Sequence, residues 1–458
     1  MEATSESFVS AILSSSTCIP SQAIAMAQTL TLDTLGVAIA GTRTSEGILI
    51  SRAVEKIGKS GPCVVLGNSA KADPATAALV NGTMAYSIGL TDTHSESITH
   101  PGPGVIPAAL AVGHAAGSSG MDVLRAIVLG YDVVIRIGAA VNPSHRSRGF
   151  HPTATCNPFG AALSTAILLG CNEEQTLWAL GLAGSMAGGL YEFRKQGAMV
   201  MALHGGWPAQ SGVIAAYLAR EGFTGPTTIL EGQDGFFKGF ADKVYPEKLI
   251  DRLGQRFTIQ EVALRPYCAC RYAHSGIDAL SKIVARHGAV PPSKIKKLRV
   301  FTHYTAVSQE AEPTTLVSAR LSTAFNMAMA VVHGARLAEV STADLVDPLV
   351  RSICDRVEIL EDPELTALFP KKWACRVQME LTTGECYEQR EDIPKGEPEN
   401  PLTQAEIEAK FHQMADPIVG VERAERIVHA VEHLAAAEDL SELMECLSTN
   451  RDVSTINL

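Results

Sequence analysis

The amino-acid sequence predicts a mainly α protein with a smaller α+β domain. Apolar residues recur with helical spacing through the first ~265 residues, and Gly or Pro separates the segments. After His287 and Gly288, apolar and polar residues alternate, which is typical of strands. Aromatic residues make up only 5% of the chain while Ala and Gly are frequent, and such small residues favour closely packed helices. At 458 residues the chain is too long for one ordinary core, so we expect two domains.

The first predicted domain consists of helices joined by short turns. Each helical segment is bounded by turn or cap residues such as Gly, Pro or Asn. The segments are 22–40, 74–89, 121–141, 158–169, 172–190 and 207–220. Pro74 stands where its helix begins, as expected for a residue that fits the first helical turn.

The second predicted domain carries the strand-like segments. Residues 296–304 alternate and contain Val and Phe, and 376–381 and 386–390 flank a Thr-Thr-Gly-Glu turn that predicts a hairpin. Further helices are predicted at 321–337, 345–350, 405–416, 420–437 and 440–447. We therefore predict a helical domain at 1–269, an α+β domain at 270–396, and helices at 397–458 that return to the helical domain.

Charge argues against several classes of partner. The formal net charge is −11 and no Lys/Arg-rich run is present, so nucleic acid is a poor candidate. The apolar run 123–141 is interrupted by Arg125, Asp132 and Arg136, and no membrane partner is expected. No Gly-rich phosphate motif follows a predicted strand, so we expect no nucleotide cofactor.

The ten cysteines show no disulfide framework. Cys268 and Cys270 form a C-x-C pair, unlike the C-x-x-C of redox and zinc sites, so we predict no metal site. The first residues, 1–7, are acidic and lack the positive region of a signal or transit peptide. Reduced thiols and a cytoplasmic location are the expectation.

The most informative segments contain histidine close to Gly, Pro or Thr. They are 93–102, 148–155, 203–207 and 265–274. Gly, Pro and Thr form turns and helix starts, and histidine exchanges protons most easily near neutral pH. We predict that His100, His151, His204 and Arg271 converge on one acid–base site in a cleft between the domains.

The first two segments admit a functional and a structural interpretation. His100 precedes Pro101, where a helix would start, and it is either a general acid/base or a turn histidine bonded to backbone. Arg148 and His151 flank a helix N-terminus, where the N–H groups and the guanidinium would together hold a carboxylate. The alternative is a capping turn with a solvated arginine.

The other two segments also admit a functional and a structural interpretation. The N–H groups of Gly205 and Gly206 after His204 would bind a substrate oxygen, or the glycines would only let the helix at Trp207 pack. Arg265 and Arg271 would grip carboxylates in bidentate fashion, or form an interdomain salt bridge.

Several segments, taken in their order along the chain, resemble the MmgE/PrpD family, and the resemblance extends over nearly the whole chain. They are 31–37, 79–85, 150–155, 203–207 and 270–280. The family includes 2-methylcitrate dehydratases, cis-aconitate decarboxylases and iminodisuccinate epimerases. The resemblance implies a large helical domain, a smaller α+β lid domain, and a homodimer.

The chain also departs from the family pattern. The acid that usually opens an Asp-x-Asp-Asp-Thr run is Gly89 here, and a lysine before the Leu-His pair is Met201. A further lysine becomes Arg265, and an expected tyrosine aligns with Phe325. The family positions that are kept are Asp92, Thr93, His100, His151 and His204. We therefore expect a retained pocket with altered acid–base groups and very weak cis-aconitate decarboxylation.

These observations together predict a cofactor-independent lyase. It would dehydrate or decarboxylate a small or alkylated di- or tricarboxylic acid of the citrate or aconitate type. The proposed catalytic residues are His100, His151 and His204, and the proposed substrate-binding residues are Asp92, Thr93, Arg148, Arg265 and Arg271. An isomerase or epimerase that uses the same cleft is the first alternative, and a non-catalytic relative is the second.

Overall fold

The chain forms two compact units. A computed structural model describes residues 4–308, 310, 312–334, 340–369, 371–449 and 452–456. The helical unit comprises Met1–Tyr191, Val200–Val262 and Gln404–Leu458, and the mixed unit comprises Glu192–Met199 and Ala263–Thr403. The prediction of a mainly helical protein with a smaller α+β part is confirmed.

Helices dominate the helical unit. The first part of the chain contains α1 (Ser5–Ser15), α2 (Ser21–Gly41), α3 (Ser45–Ile57), strand β1 (Ser60–Cys63), α4 (Pro74–Ser87), α5 (Gly102–Ala116), α6 (Gly120–Val141), α7 (Ser144–Ser147), α8 (Pro152–Leu168) and α9 (Glu173–Met186). After α10 (Phe193–Gln196) of the mixed unit come α11 (Val200–Arg220), α12 (Phe236–Phe240) and α13 (Glu247–Ile250).

The helix ends follow ordinary capping chemistry. The Asp73 carboxylate accepts hydrogen bonds from the first N–H groups of α4, and Pro74 occupies its first turn. Asn172 and Gln175 form a reciprocal capping box at the start of α9. Inside the unit, α11 packs on α4 and α8, and alanines fill much of the core between them.

Two helices begin earlier than the sequence predicts. We predicted starts at 158 and 207, but α8 begins at Pro152 and α11 at Val200. Pro158 and Pro208 lie inside these helices, where a proline usually breaks the pattern. A further predicted helix, 172–190, ends at Met186 because the chain is extended at Ala187.

The mixed unit is built around a four-stranded sheet. Its elements are α14 (Arg271–His287), β2 (Ile295–Thr302), α15 (Tyr304–Ser308), α16 (Leu316–Leu321), α17 (Thr323–His333), α18 (Thr342–Val346), α19 (Pro348–Cys354), β3 (Val357–Glu361), α20 (Pro363–Leu368), β4 (Cys375–Leu381) and β5 (Cys386–Glu391). The strand order is β3-β2-β4-β5. β2 pairs parallel to β3 and antiparallel to β4, and β4 and β5 form the predicted hairpin.

Alternating burial along β2 and β4 shows that one sheet face is covered. The predicted strand 296–304 corresponds to β2, whereas β3 was not predicted. The predicted helix 321–337 is divided at Ser322, which caps α17, and its end at 335–337 lies outside the described residues. Pro348 follows the cap residue Asp347 and divides the predicted helix 345–350.

The chain then returns to the helical unit through α21 (Gln404–Val419), α22 (Val421–Glu432) and α23 (Ser441–Leu447). The predicted α+β domain, 270–396, lies inside the mixed unit, which is longer at both ends and also takes up Glu192–Met199. No sequence pattern indicated that this short segment leaves the helical unit.

Helix α2 has a markedly apolar composition. By length and hydropathy α2 would suffice to cross a membrane, yet 72% of the relevant window is buried inside the protein. Asp33 in its middle is paired with Lys410, and both side chains are buried. These contacts identify α2 as a core helix of this unit.

Candidate active site

His100 stands at the end of the loop that joins α4 to α5. Its Nδ1 lies 2.6 Å from the carbonyl oxygen of Asp92 and 3.1 Å from Oγ1 of Thr93. A carbonyl oxygen only accepts, so Nδ1 carries the proton and donates it. In the neutral ring Nε2 therefore keeps its lone pair, and this nitrogen is able to take up a proton.

The backbone of His100 is held from both sides. Its N–H donates to Oγ1 of Thr153 over 3.2 Å, and its carbonyl accepts from Nδ2 of Asn157 over 2.9 Å. Both partners belong to α8. The ring is thus fixed by its backbone as well as by Nδ1, which is what a proton carrier needs for reproducible geometry.

Asp92 supports this loop. Each of its carboxylate oxygens lies 3.1 Å from the N–H of Gly102, at the start of α5. A negative charge at a helix N-terminus is favourable, and Asp92 is only 1% exposed. This contact gives Asp92 a structural function. We predicted substrate binding for both Asp92 and Thr93, and Thr93 stands beside the His100 ring.

His151 occupies the N-cap position of α8. Its N–H donates to the carbonyl of Gly189, and Nδ1 lies 2.8 Å from Nδ1 of His204. Nε2 lies 3.2 Å from the hydroxyl of Tyr86, a residue of α4 that sequence reasoning missed. Tyr86, His151 and His204 therefore form a hydrogen-bonded chain.

The same tyrosine links the chain to His100. The Tyr86 ring centroid lies 5.5 Å from that of His100 and 5.9 Å from that of His151. The structure thus gathers His100, His151 and His204 around Tyr86. Nothing in the sequence near Tyr86 distinguished it from an ordinary core aromatic.

The glycines after His204 have a packing function. They lie inside α11, where a Cβ on Gly206 would come within 2.0 Å of the Leu79 carbonyl oxygen. A Cβ on Gly205 would meet the carbonyl oxygen of Gly82 at 2.5 Å. The glycines let α11 approach α4 closely, which favours the packing interpretation over oxyanion binding. Trp207 itself is 46% exposed.

Burial keeps the histidine rings neutral. It lowers the pKa of His204 to about 4. Burial first, and then the neighbouring His204 and other nearby cationic groups, hold the pKa of His151 well below its usual range. Burial also lowers the pKa of His145 to about 4. His145 was not predicted, and it stacks on Phe150 and donates from Nδ1 to the carbonyl of Phe240.

Arg148 does not join these histidines in the way we predicted. It is exposed and its Nη1 lies 3.4 Å from Oδ1 of Asp242, also an exposed residue. Arg146, two residues earlier, places its guanidinium 3.5 Å from the ring centroid of Tyr191. The Tyr191 ring packs edge-on against His151 at 4.7 Å. Arg146 is therefore the cation next to the ring that contacts His151, and Arg148 fits the alternative of a solvated arginine beside a capping turn.

Arg271 and Arg265 belong to the mixed unit. Arg271 begins α14, is 2% exposed, and donates from Nη2 to Glu397. Its Nε and Nη1 have no hydrogen-bond partner among the described residues. Two donors of a buried guanidinium are thus available for an anion. Arg265 is 9% exposed.

The departures from the family pattern have different structural meanings. Gly89 has a φ of +74°, which glycine adopts without strain and most residues do not. Met201 lies one turn before His204 on α11, at 8% exposure. Phe325 is 0% exposed in a hydrophobic cluster of the mixed unit with Ala319 and Val350. Phe325 therefore belongs to the hydrophobic core of the mixed unit.

Among the residues the structure describes, no group of three or more His, Cys, Asp or Glu side chains is arranged to hold a metal ion. Cys268 and Cys270 take part in no disulfide among the described residues, and Cys268 is buried.

Two protein-family domains and several known proteins are similar to this chain. The MmgE/PrpD N-terminal domain matches residues 11–248, and the MmgE/PrpD C-terminal domain matches residues 267–436. The chain is 27% identical to the Cis-aconitate decarboxylase-like protein oryM of Aspergillus oryzae, with 94% of each chain covered. It is 26% identical to a cis-aconitate decarboxylase of Aspergillus terreus, over 94% of this chain and 92% of that protein.

A human cis-aconitate decarboxylase is 27% identical, over 91% of this chain and 88% of its own length. These relatives support an enzyme of the lyase type. Since both domain profiles of the family match in their expected order, the chain is a member of the MmgE/PrpD family.

Proposed function

We propose that this protein is a lyase that removes carbon dioxide or water from an aconitate- or citrate-type polycarboxylate. The observation that carries the proposal is the contact of 2.8 Å between Nδ1 of His151 and Nδ1 of His204. Two neutral imidazoles in such contact share one proton, and two of the relatives named above are cis-aconitate decarboxylases.

The linked rings have two proton arrangements. In one, the Tyr86 hydroxyl donates to His151, whose Nδ1–H donates to His204, and Nε2 of His204 carries a proton. In the other, each bond is reversed and Nε2 of His204 has a lone pair. A proton given up at Nε2 of His204 is matched by one that the Tyr86 oxygen takes up, and the reverse exchange restores the first arrangement, so that no ring becomes charged.

Both lyase reactions need such proton carriers. Decarboxylation breaks the bond between a carboxylate carbon and its neighbour, releases CO2, and leaves an electron pair that takes up one proton. Dehydration removes a proton from carbon and gives one to the leaving hydroxyl. We assign removal of the proton from carbon in a dehydration to the lone pair on Nε2 of His100. Delivery of a proton to the leaving hydroxyl, or to the carbon left by CO2, is assigned to the Tyr86–His151–His204 chain, which regains a proton from water at its other end.

Carboxylate binding beside the histidines is assigned to Arg146, because its guanidinium lies next to the ring that contacts His151. In the mixed unit, two buried guanidinium nitrogens of Arg271 lack a hydrogen-bond partner among the described residues, so Arg271 stays a proposed carboxylate ligand. Met201 replaces a family lysine one turn from His204, so we expect slow turnover of cis-aconitate and faster turnover of an alkylated analogue.

The test is a mass-resolved assay in deuterated water. EDTA-treated protein is incubated with cis-aconitate, an alkylated aconitate, citrate and an alkylated citrate. We expect CO2 release or water loss that falls about 10²–10⁴-fold in His151→Gln. The exposed His287 provides the matched control, and His287→Gln should retain the wild-type rate.

Other outcomes separate the alternatives. Solvent deuterium incorporated without loss of mass would identify an isomerase or epimerase. No change in any acid would leave a non-catalytic relative. Activity that vanishes with EDTA would contradict a metal-free reaction, and an unchanged rate in His151→Gln would remove the histidine chain from the mechanism.

A further inference from the structure

A buried ion pair joins α2 to α21 below the loop that carries His100. Nζ of Lys410 lies 2.5 Å from Oδ1 of Asp33, and both side chains are about 1% exposed. The helices come close because residue 36 is glycine. A Cβ on Gly36 would meet side-chain atoms of Phe411 and Met414 at 2.9 and 2.8 Å. Asp33 and Gly36 both lie in the segment 31–37 singled out in the sequence.

The ammonium of Lys410 has a second partner. Nζ donates to the carbonyl oxygen of Leu90 over 3.0 Å. Two residues later the carbonyl of Asp92 accepts the hydrogen bond from Nδ1 of His100. Lys410 therefore holds the start of the short segment that fixes which nitrogen of His100 carries the proton.

Several buried acidic groups lie near this segment. Asp33 and Asp92 are buried carboxylates, and Tyr131 has its hydroxyl beside Gly102 with Asp92. Burial and these carboxylates raise the pKa of Tyr131 well above its usual value, so it stays neutral. Lys410 is the cation that directly contacts this group in the described structure, where Oδ2 of Asp33 has no hydrogen-bond partner.

Stability alone explains such a pair poorly. Two charges lose their hydration on burial, and an apolar pair of similar size is often as stable or more stable. An apolar side chain at position 410 would provide no hydrogen-bond donor to the Leu90 carbonyl. The specific contribution of the ammonium is therefore to the geometry of residues 90–92.

We propose that Lys410 is a positioning residue for His100. Its ammonium is held by Asp33 and donates to the Leu90 carbonyl, and these contacts fix the orientation of the Asp92 carbonyl. The Asp92 carbonyl in turn keeps the His100 proton on Nδ1 and the lone pair on Nε2. The kinetic part of this inference rests on the proposed function, because it takes His100 as a proton carrier. The tautomer of His100 does not depend on any substrate.

The test compares four variants of the full chain. Lys410→Met removes the charge and the donor, and Lys410→Arg keeps both. Lys410→Met combined with Asp33→Asn removes both charges, which restores charge balance but not the donor to Leu90. Phe411→Leu is the matched control, since it loosens the same helix and leaves the ammonium in place.

Two quantities are measured after thermal unfolding has confirmed that each variant folds. The first is the tautomer of His100 from long-range spectra of ¹⁵N-histidine-labelled protein, assigned by the signal missing in His100→Gln. The second is kcat and KM on the acid turned over by the wild type. We expect kcat to fall about tenfold or more in Lys410→Met with little change in KM, because a small misplacement of a catalytic group is costly.

The double variant decides between positioning and mere stability. We expect it to regain thermal stability while kcat and the His100 signals stay as in Lys410→Met, and we expect Lys410→Arg to recover part of both. Wild-type kcat and an unchanged tautomer in Lys410→Met, or loss of kcat in Phe411→Leu to the same degree, would overturn the proposal. If the wild type turns over no acid, the proposed function fails, and the tautomer shift still tests Lys410.

Discussion

The core of the helical unit and the sheet of the mixed unit hold their polar side chains in different ways. The helical unit buries His145, His151 and His204 and the Asp33–Lys410 pair. The sheet of the mixed unit carries ion pairs whose side chains remain partly exposed, such as Lys297–Glu358 and Lys296–Glu380. Buried polar groups must be hydrogen-bonded in one geometry, whereas exposed pairs contribute little and tolerate change. Sensitivity to substitution should therefore differ sharply between the two regions.

The largest effect is expected at His100. His100→Gln removes the Nε2 lone pair but keeps a side chain of similar length, so kcat/KM on the acid turned over should fall about 10²–10⁴-fold. Steady-state kinetics and a thermal unfolding curve are sufficient. A variant that is fully active at wild-type stability would show that the buried histidines are structural and would abolish the contrast between the units.

The second-largest effect is expected on dimerisation. We expect the homodimer implied by the family resemblance to cover the exposed face of α11, where Val200, Trp207, Ile214 and Tyr217 follow each other at helical spacing. The helix has no Lys, Arg, Asp or Glu from 200 to 219. A charge at this face enters a twofold interface twice, so Trp207→Glu should weaken dimerisation roughly a hundredfold. Sedimentation velocity over a concentration series measures this, and a wild type that is monomeric throughout would contradict it.

Arg271 sharpens the comparison, because it is a buried charge in the mixed unit. Arg271→Lys keeps a cation beside Glu397 but removes the two guanidinium donors that lack partners among the described residues. We expect KM to rise about ten- to hundredfold with a smaller change in kcat. Unchanged KM would mean that these donors do not bind the substrate.

The histidines also predict how stability depends on pH. The pKa of His145 and of His204 is about 4 in the folded protein, and an unfolded histidine has its ordinary pKa near 6.5. Between these values the unfolded chain binds more protons, so the free energy of unfolding decreases as pH falls from about 6.5 to about 4. Each histidine contributes at most about 1.4 kcal/mol per pH unit.

Urea unfolding at several pH values between 7 and 4.5 measures this slope. His204→Gln should reduce this slope. An identical slope in His204→Gln and the wild type would show that folding does not lower the pKa of His204.

The smallest effect is expected on the sheet of the mixed unit. Lys297→Met removes an exposed ion pair with Glu358, so the unfolding midpoint and the kinetics should both stay within experimental error. A marked loss of stability there would mean that the sheet's ion pairs act as a network, contrary to the contrast drawn above.

The spacing of apolar residues and the positions of Gly and Pro predicted most of the helices and the β4–β5 hairpin, because these elements depend on residues close in sequence. The same local reasoning failed at Pro158 and Pro208, since tertiary packing of α8 and α11 keeps both helices continuous through their prolines. The fold class was thus predictable, and the precise helix limits were not.

The candidate site was predictable only where a motif marked it. His100, His151 and His204 stood out through the glycines and prolines around them, and the structure gathers them about Tyr86. Tyr86 itself had no such signal. The choice between Arg146 and Arg148 depends on the direction each side chain takes from α7, which spacing in the sequence does not contain.

The pairing of Asp33 with Lys410 has a consequence for biosynthesis. The two residues are 377 positions apart, and the mixed unit lies between them in the chain. At ~5–20 residues per second, the ribosome needs on the order of tens of seconds to reach the lysine after the aspartate has been made. During that interval the face of α2 that packs on α21 and the Asp33 carboxylate both lack their final partners. We expect the nascent chain to stay a client of chaperones until α21 has left the ribosomal tunnel, which makes folding of the helical unit a late, almost post-translational event.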